Sequence, residues 1–230
     1  MALTGTLTPL AWESEFFQRR TARLDSDPTQ TLSVAALDAW PLVQAKRDAS
    51  QTADIDALSA LGFRLVEGEA ELLLRPSVAE RPAGIRVART AQIPALREAA
   101  AAAFSHSRFR APWFAADASA RFYAQWIDNA VHGTFDHLCL LAIDAHGDLQ
   151  GFVSLRETGP QAGRIGLLAT LEGHQGKGVA TRLLTAAQDW CLTRGIDQLR
   201  VATQLANLPA LRLYLRCGAT LERTAYWFYR

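Results

Sequence analysis

The sequence predicts an α/β (α+β) fold, in which a mixed central sheet is flanked by helices and a smaller α/β unit lies at the N-terminus. Two observations support this prediction. Between residues 85 and 230, apolar segments of strand length alternate with segments of helical periodicity. A shorter α/β pattern occupies 1–80, and it ends in a polar segment, 76–84, with prolines and a glycine. We therefore predict two units, 1–80 and 85–230, with a linker between them.

The composition argues against several classes of protein. The chain has 230 residues, of which 49% are hydrophobic and 20% are charged, as is typical of a globular protein. A formal net charge of +1 offers no attraction to nucleic acid or to an anionic membrane, so neither is expected as a partner. The sequence contains no run of about 18 apolar residues, so no transmembrane helix is expected. Residues 1–5 lack the features of a signal peptide, and a cytoplasmic location is expected.

No group of residues predicts a metal site. Cys139, Cys191 and Cys217 are odd in number and widely spaced, which predicts buried thiols in a reducing compartment, without disulfide or zinc spacing. His132 and His137 have no further ligand groups beside them in the sequence. We expect no metal cofactor.

The first 80 residues predict short elements. A helix is expected over 32–45, interrupted at Pro41, and a second helix over 54–61 ends at Gly62 and leads into an extended segment. The same succession of helix, glycine and strand recurs around Gly218 near the end of the chain. Two explanations stay open: a degenerate copy of half of the second unit, or independent use of a common α/β arrangement.

The second unit shows a regular order of elements. The order is a strand over 85–88, a helix capped by Thr90, an irregular loop over 105–114, a helix over 118–131, strands over 137–143, 149–155 and 164–170, a helix from Val179 to Gly195, a strand over 199–203, a helix capped by Asn207 and ended by Gly218, and terminal strands.

The segment between the strand over 164–170 and the next helix is rich in glycine. Gly173, Gly176 and Gly178 lie within six residues, and glycine permits left-handed dihedral angles and close approach to a ligand. The first N–H groups of the following helix have no internal partner and lie at the positive end of its dipole. Such a loop can hold a pyrophosphate without a metal, and Lys177 can add a charge. Glycine spacing alone leaves a simple connecting turn equally open.

Two motifs together resemble the GCN5-related N-acetyltransferases. Gln175, Gly178 and Ala180 form the pattern Q-x-x-G-x-A of the acyl-CoA loop in that family. Asn207 precedes Tyr214 by seven residues, about two helical turns, so both side chains lie on one helix face. The resemblance implies acetyl-CoA as co-substrate. It assigns acetyl-CoA binding to Leu168, Ala169, Thr170, Gln175, Gly176, Lys177, Gly178, Val179, Ala180, Asn207 and Leu213.

The same resemblance implies a direct transfer of the acetyl group within a ternary complex. Tyr214 matches the tyrosine that protonates the leaving thiolate, with a core tyrosine as the alternative. Glu67 is expected to act as the general base, directly or through water, and the alternative is a surface glutamate. The oxyanion is expected to meet a backbone N–H near Leu168. The cysteines have no histidine motif beside them, so a covalent acyl-enzyme is not expected.

Segments along nearly the whole chain resemble a narrower group in that family, the acetyltransferases of dTDP-linked 4-amino-4,6-dideoxy sugars. Among these segments are 61–69, 107–113, 121–127 and 200–204. The resemblance implies acetylation of the 4-amino group of the galacto sugar, as a building block of enterobacterial common antigen. Arginine forks suit a diphosphate and aromatic rings can stack on thymine. The nucleotide sugar is assigned to Arg108, Arg110, Trp113, Tyr123 and Trp126.

Alternatives to this function stay open at the level of the sequence. The acceptor could be another amine, such as the epimeric nucleotide amino sugar or a protein N-terminus. A non-catalytic acyl-CoA-binding module is a further alternative, although such a chain is expected to lose Tyr214 or the glycine loop. The 105–114 loop could also be structural, with aromatic side chains that fill the core. A homodimer is one option for an oligomeric state that the sequence does not define.

Overall fold

The computed structural model describes residues 4–77, 80–104 and 107–230. Two residues of the predicted linker, Val78 and Ala79, and the first two of the predicted loop, Ser105 and His106, lie outside the described residues, as do residues 1–3 of the N-terminal segment. The strands are β1 Thr6–Pro9, β2 Thr21–Asp25, β3 Leu42–Asp48, β4 Arg64–Leu74, β5 Ile85–Val87, β6 Leu138–Ile143, β7 Leu149–Gly159, β8 Ala162–Thr170, β9 Gln198–Gln204 and β10 Thr220–Tyr229. The helices are α1 Ala11–Phe16, α2 Val34–Asp38, α3 Thr52–Ala60, α4 Ile93–Ala103, α5 Ala118–His132, α6 Val179–Leu192 and α7 Leu208–Arg216.

The ten strands found in the described residues belong to one mixed sheet, in the order β1-β2-β3-β10-β4-β9-β8-β7-β6-β5. The β2–β3 and β8–β9 pairs are parallel, and the remaining pairs are antiparallel. Helices cover both faces, because successive strand residues point to opposite sides. On one side, Leu184 and Trp190 of α6 lie in the main core. On the other, Leu96 of α4 and Ile127 of α5 pack around Phe152. The predicted mixed α/β fold is therefore confirmed.

Two local predictions are wrong. The helix predicted over 32–45 is present only as α2, Val34–Asp38, and the chain beyond Pro41 forms β3. Proline cannot continue the helix, and the segment after it pairs with β2 and β10, so pairing within the sheet determines its structure. Thr90 does not cap a helix either, since it begins a 3₁₀ turn that precedes α4.

The centre of the sheet has an approximate internal two-fold symmetry. Strands β4 and β10 pair antiparallel, with Thr220 opposite Leu73 at one end and Tyr229 opposite Arg64 at the other. The third residue of each strand forms a bulge: Val66 is the extra residue in β4, and Glu222 in β10. Each strand also follows a nine-residue helix and a glycine with positive φ.

The position of β4 joins the two predicted units into one sheet. Strand β4 comes from the first predicted unit, yet it lies between β9 and β10 of the second. The sheet thus runs without a break through 1–80 and 85–230. The division into two units stays a prediction, and Glu67 of the first unit lies on a central strand.

Candidate active site

The site forms where two parallel strands separate. Strands β8 and β9 pair only from Ala162 opposite Gln198 to Ile165 opposite Val201. Strand β8 then continues to Thr170 without β9 beside it, which leaves a cleft in the sheet. The predicted acetyl-CoA residues on β8, namely Leu168, Ala169 and Thr170, all lie in this separated part. Such a cleft exposes backbone groups that would otherwise form a ladder, so it can hold an extended, amide-containing ligand arm.

The glycine-rich loop follows directly after β8. Its glycines have φ angles of +79° at Gly173, +73° at Gly176 and +79° at Gly178, a region that favours glycine. A Cβ at any of them would meet nothing within 4 Å, so backbone conformation explains these glycines and crowding does not. Gly178 is the N-cap of α6 and offers no side chain to the first amides of the helix. Gln175 and Lys177 are exposed beside them. The arrangement is suited to an anion such as a diphosphate.

Tyr214 lies on α7 with its side chain 4% exposed. Its hydroxyl makes no hydrogen bond within the part of the chain that the structure describes. Burial raises the pKa of Tyr214 above its ordinary value, so the hydroxyl stays protonated at physiological pH. A protonated hydroxyl that has no protein partner can donate to a leaving group.

Asn207 sets the start of the helix that carries Tyr214. Its side-chain oxygen accepts from the backbone N–H of Ala210 at 3.3 Å, which is the predicted cap, and its Nδ2 donates to Thr203 Oγ1 at 3.2 Å. Leu213, also on α7, is buried in the same core as Tyr214. The cap therefore confirms the structural part of the Asn207 prediction, whereas contact of Asn207 or Leu213 with acetyl-CoA stays a prediction.

Glu67 is largely buried on β4, where the side chain of Gln204 hydrogen-bonds to its carboxylate. Burial raises the pKa of Glu67 above the usual glutamate value, and the charge of Arg108 only partly opposes this effect. A carboxylate with a raised pKa is a stronger base than a surface glutamate. Its role as the general base stays a prediction.

The two loop arginines bind protein groups. Arg108 Nη1 donates to Gln44 Oε1 at 2.8 Å and to the Tyr229 hydroxyl at 2.5 Å. Arg110 is exposed, and its Nη2 donates to the carbonyl of Val66, the bulge residue of β4, at 3.0 Å. Both side chains thus fasten the 107–114 loop to the sheet. That these two arginines bind the nucleotide stays a prediction.

The predicted aromatic residues fall into two places. Tyr123 and Trp126 lie one turn apart on α5, with ring centroids 6.2 Å apart and nearly parallel planes. Burial raises the pKa of Tyr123 to about 12. Trp113 makes an edge contact with Tyr229 at 5.7 Å, near the Arg108 guanidinium. Tyr123, Trp126 and Trp113 are all half-buried, and contact with thymine stays a prediction for each of them.

A charged group lies on β4 beside Glu67 and was not predicted from the sequence. Lys46 Nζ lies 2.6 Å from Glu69 and 2.5 Å from Glu71, and Arg223 binds Glu71 with two nitrogens at 2.8 and 3.0 Å. These hydrogen bonds and positive charges outweigh burial and lower the pKa of Glu71 to about 2. The signal available in the sequence was strand alternation, since Glu67, Glu69 and Glu71 recur at every second position.

Among the described residues, no group of three or more histidine, cysteine or carboxylate side chains is placed to bind a metal ion. Burial raises the pKa of the Cys191 thiol to about 12 and that of Cys139 still further, so both remain protonated. In the same residues, no helix has the length and apolar character needed to span a membrane.

Comparisons with known proteins agree with this geometry. A family model described as the acetyltransferase (GNAT) family matches residues 94–219. The chain is 50% identical over 232 residues to a dTDP-fucosamine acetyltransferase of Escherichia coli O6:H1, an alignment that covers 100% of both chains.

Solved structures share the fold at low sequence identity. A tandem GNAT protein from the clavulanic acid biosynthesis pathway aligns with a TM-score of 0.60 and 16% identity, over 91% of this chain and 74% of that one. A GCN5-related glucosamine N-acetyltransferase region of a fungal multi-domain enzyme aligns with a TM-score of 0.65 and 14% identity, over 92% of this chain and 30% of that one.

Proposed function

The chain belongs to the acetyltransferase (GNAT) family, and we propose that it transfers the acetyl group of acetyl-CoA to the 4-amino group of dTDP-fucosamine, dTDP-4-amino-4,6-dideoxy-D-galactose. The observation that carries this proposal is the 50% identity to a dTDP-fucosamine acetyltransferase over the full length of both chains. The product is dTDP-4-acetamido-4,6-dideoxy-D-galactose. Its use in enterobacterial common antigen stays a prediction.

The proposed binding of acetyl-CoA follows from the cleft and the loop. The amides around Gly176 and Gly178 receive the diphosphate, where the positive end of α6 favours negative charge. The pantetheine arm lies along the separated part of β8 and reaches the region of Asn207. Lys177, exposed at the edge of the loop, adds a positive charge.

The proposed chemistry uses three groups of this chain. Glu67, directly or through a water, takes a proton from the 4-ammonium group, and the neutral amine attacks the thioester carbonyl carbon. The backbone N–H of Leu168 stabilises the oxyanion that forms. The C–S bond then breaks, and the Tyr214 hydroxyl protonates the sulfur, so that CoA leaves as a thiol. The nitrogen, which became cationic on attack, releases its second proton to solvent as the amide forms. Glu67 gives its proton to solvent and the tyrosine regains one from solvent, so that both return to their starting states.

The proposed acceptor site is formed by residues of the second predicted unit, beside β4 of the first. The 107–114 loop carries Arg108 and Arg110 beside β4, and the α5 rings of Tyr123 and Trp126 lie on the same side of the sheet. We place the dTDP moiety against this surface, together with Trp113. Free, mostly buried thiols and the use of acetyl-CoA support a cytoplasmic location.

The test is acetyl-CoA turnover, measured as released thiol, with dTDP-fucosamine and with its C4 epimer as acceptors. We expect turnover with the first and a much lower kcat/KM with the second, because the attacking nitrogen moves out of line with the thioester. Equal use of both epimers would contradict C4 selectivity. Absence of turnover with either, together with normal acetyl-CoA binding, would leave an acetyltransferase with a different acceptor.

The internal symmetry supports a second proposal, that 1–80 is a degenerate half acetyltransferase. It has counterparts of α7, β9 and β10, but the short α2 stands where the second unit has its glycine loop and α6. A single acetyl-CoA site per chain is therefore expected. Calorimetric titration should give a stoichiometry of one, and a stoichiometry of two would contradict the loss of function in the first unit.

A further inference from the structure

Two buried polar side chains hold β8 at the point where it leaves β9. Opposite Ser154 of β7, strand β8 has a bulge of two residues, Gly166 and Leu167. Ser154 Oγ accepts the backbone N–H of Leu167 at 2.9 Å and donates to Asp136 Oδ2 at 2.6 Å. Ser154 is 0% and Asp136 1% exposed, and hydrogen bonds in such a dry environment are stronger than in water. The pair therefore fixes the direction of the Leu167 amide.

The same carboxylate explains a glycine and reaches a helix. A Cβ on Gly166 would lie 2.2 Å from Asp136 Oδ2 and 2.7 Å from Ser154 Oγ, so no other residue fits there without displacing them. Asp136 Oδ2 also accepts the indole N–H of Trp126 on α5 at 2.8 Å. Its Oδ1 makes no hydrogen bond within the described residues, and Arg156 Nε lies 4.0 Å away. The interaction connects β7, β8 and α5.

The direction of one amide determines that of the next. Successive N–H groups of an extended strand point to opposite sides. Because the Leu167 N–H points to Ser154 on β7, the Leu168 N–H points to the side from which β9 has withdrawn. That side is the cleft, and Leu168 is the residue expected to meet the oxyanion.

We propose that Ser154 and Asp136 are positioning residues for acetyl transfer: they hold the Leu167 amide towards β7 and so aim the Leu168 amide into the cleft, while Asp136 fixes the indole of Trp126 on the acceptor side. This inference rests on the proposed function. Neither side chain touches the reacting atoms. Together they couple the oxyanion donor to a ring that we assign to the acceptor.

The size of the effect follows from the geometry required for catalysis. A displacement of about 1 Å in a catalytic group costs on the order of 100-fold in rate, and loss of one oxyanion donor costs about 10²–10³-fold. Ser154→Ala leaves the Leu168 amide in place. It removes only the Ser154 hydroxyl, which orients the neighbouring Leu167 amide. A decrease in kcat of about 10- to 100-fold is therefore expected.

The first experiment measures kcat, the KM of acetyl-CoA and amide hydrogen exchange in S154A. We expect kcat to fall as stated, the KM of acetyl-CoA to stay near the wild-type value, and the Leu167 amide to exchange faster. Ser59→Ala is the control, because it removes an exposed hydroxyl on α3 that donates to the Ile55 carbonyl at 2.9 Å. Wild-type kcat in S154A, or losses of stability and acetyl-CoA binding that account for the whole decrease, would overturn the proposal.

A second pair of variants tests the carboxylate. D136A removes the acceptor for both Ser154 and Trp126, so it should lower kcat and also raise the KM of the nucleotide sugar. D136N keeps an oxygen acceptor of the same shape and should restore most of kcat. If D136A fails to fold, D136N and S154A still decide the question. Equal defects in D136N and D136A would show that charge matters more than hydrogen-bond direction and would contradict the proposal.

Failure of the proposed function can be distinguished from failure of this inference. If the wild type does not turn over dTDP-fucosamine, two signals can still be compared with acetyl-CoA alone bound: exchange of the Leu167 amide in the wild type and S154A, and the indole N–H resonance of Trp126 in the wild type and D136A. Unchanged exchange in S154A, together with an unchanged indole resonance in D136A, would reject the positioning roles, whatever the acceptor is.

Discussion

The guanidinium carbon of Arg108 lies 4.0 Å from the ring centroid of Trp227, so that the cation covers one face of the indole. One nitrogen of the same guanidinium binds both Gln44 and Tyr229. Arg108 therefore connects the 107–114 loop to β3 and β10 at the symmetric centre of the sheet. Any contact of Arg108 with a diphosphate has to use its remaining N–H groups.

Arg108→Ala should destabilise the fold as well as weaken acceptor binding. Hydrogen bonds to a charged group contribute about 1.5–3 kcal/mol and the cation–π contact about 0.5–2 kcal/mol, so a loss of about 2–4 kcal/mol is expected. Arg108→Lys keeps the charge but not the planar fork, so its unfolding free energy should lie between those of the wild type and R108A. Denaturant unfolding measures these free energies, and Arg75→Ala, which removes an exposed arginine, is the control. Wild-type stability in R108A, with only the acceptor KM raised, would instead favour a purely ligand-binding role.

Glu67 should set the acidic limb of the pH–rate profile. Burial raises its pKa above the usual glutamate value, and a base must be deprotonated, so kcat/KM should fall as pH falls through that raised pKa. Glu67→Gln should lower kcat by about 10²–10⁴-fold and abolish this limb. The profile is measured between pH 4 and 9 by thiol release.

The stability of the same variant separates catalysis from folding. A raised pKa means that the folded state favours the protonated carboxyl, so this group adds stability at low pH and loses it as pH rises through the folded pKa. At neutral pH, E67Q should therefore be at least as stable as the wild type. A variant that loses activity and stability together would point to a structural role for Glu67.

Gly178→Ala should weaken acetyl-CoA binding while leaving the chemical step intact. A left-handed conformation costs a non-glycine residue about 1–2 kcal/mol, so the loop should relax and turn its amides away from the diphosphate. Gly147→Ala is the matched control, because Gly147 has φ +94° in a hairpin turn and equally open surroundings. Both variants should lose similar stability, and only G178A should raise the KM of acetyl-CoA. Equal KM values in G178A and G147A would reject the loop as the diphosphate site.

The parts of the site that the sequence predicts are those governed by local backbone rules. The glycine loop needs positive φ angles, Asn207 caps its own helix, and Gly62 and Gly218 end theirs, all within a few residues of chain. Strand alternation likewise places Glu67 on β4. Such features are set by neighbours in sequence, so one sequence is enough to find them.

The parts of the fold and site that cannot be predicted from the sequence depend on pairing between residues far apart in the chain. Nothing near Leu42 predicts that the chain after Pro41 will lie beside β10, since that partner is at the far end of the chain. The Asp136–Ser154 pair joins a segment after α5 to a bulge in β8, and the bulge becomes visible only when the register of β7 and β8 is known. Neither a lone aspartate nor a lone serine has a motif of its own.

Glu71 should make the stability of the fold sensitive to acid. Its pKa of about 2 lies below the ordinary glutamate value of 4.5, because Arg223 and Lys46 bind the carboxylate strongly enough to outweigh its burial. A lowered pKa contributes stability above the unfolded value, and this contribution is lost as pH falls from about 4.5 to about 2. Glu71→Gln should therefore flatten the decline in unfolding free energy over this range. An unchanged slope in E71Q would show that other carboxylates dominate acid unfolding.

Tyr214→Phe should lower kcat by about 10²–10⁴-fold and leave acetyl-CoA binding unchanged, because only the proton donor to the sulfur is removed. Burial raises the pKa of Tyr214, so loss of its proton should not limit the wild-type rate below about pH 10. The measurements are single-turnover transfer and calorimetric binding of acetyl-CoA. Tyr226→Phe removes a hydroxyl from a half-buried tyrosine of β10 on the α3 side and should retain full activity. Wild-type kcat in Y214F would mean that the thiolate leaves without help from this hydroxyl, and the acid would have to be sought elsewhere in the cleft.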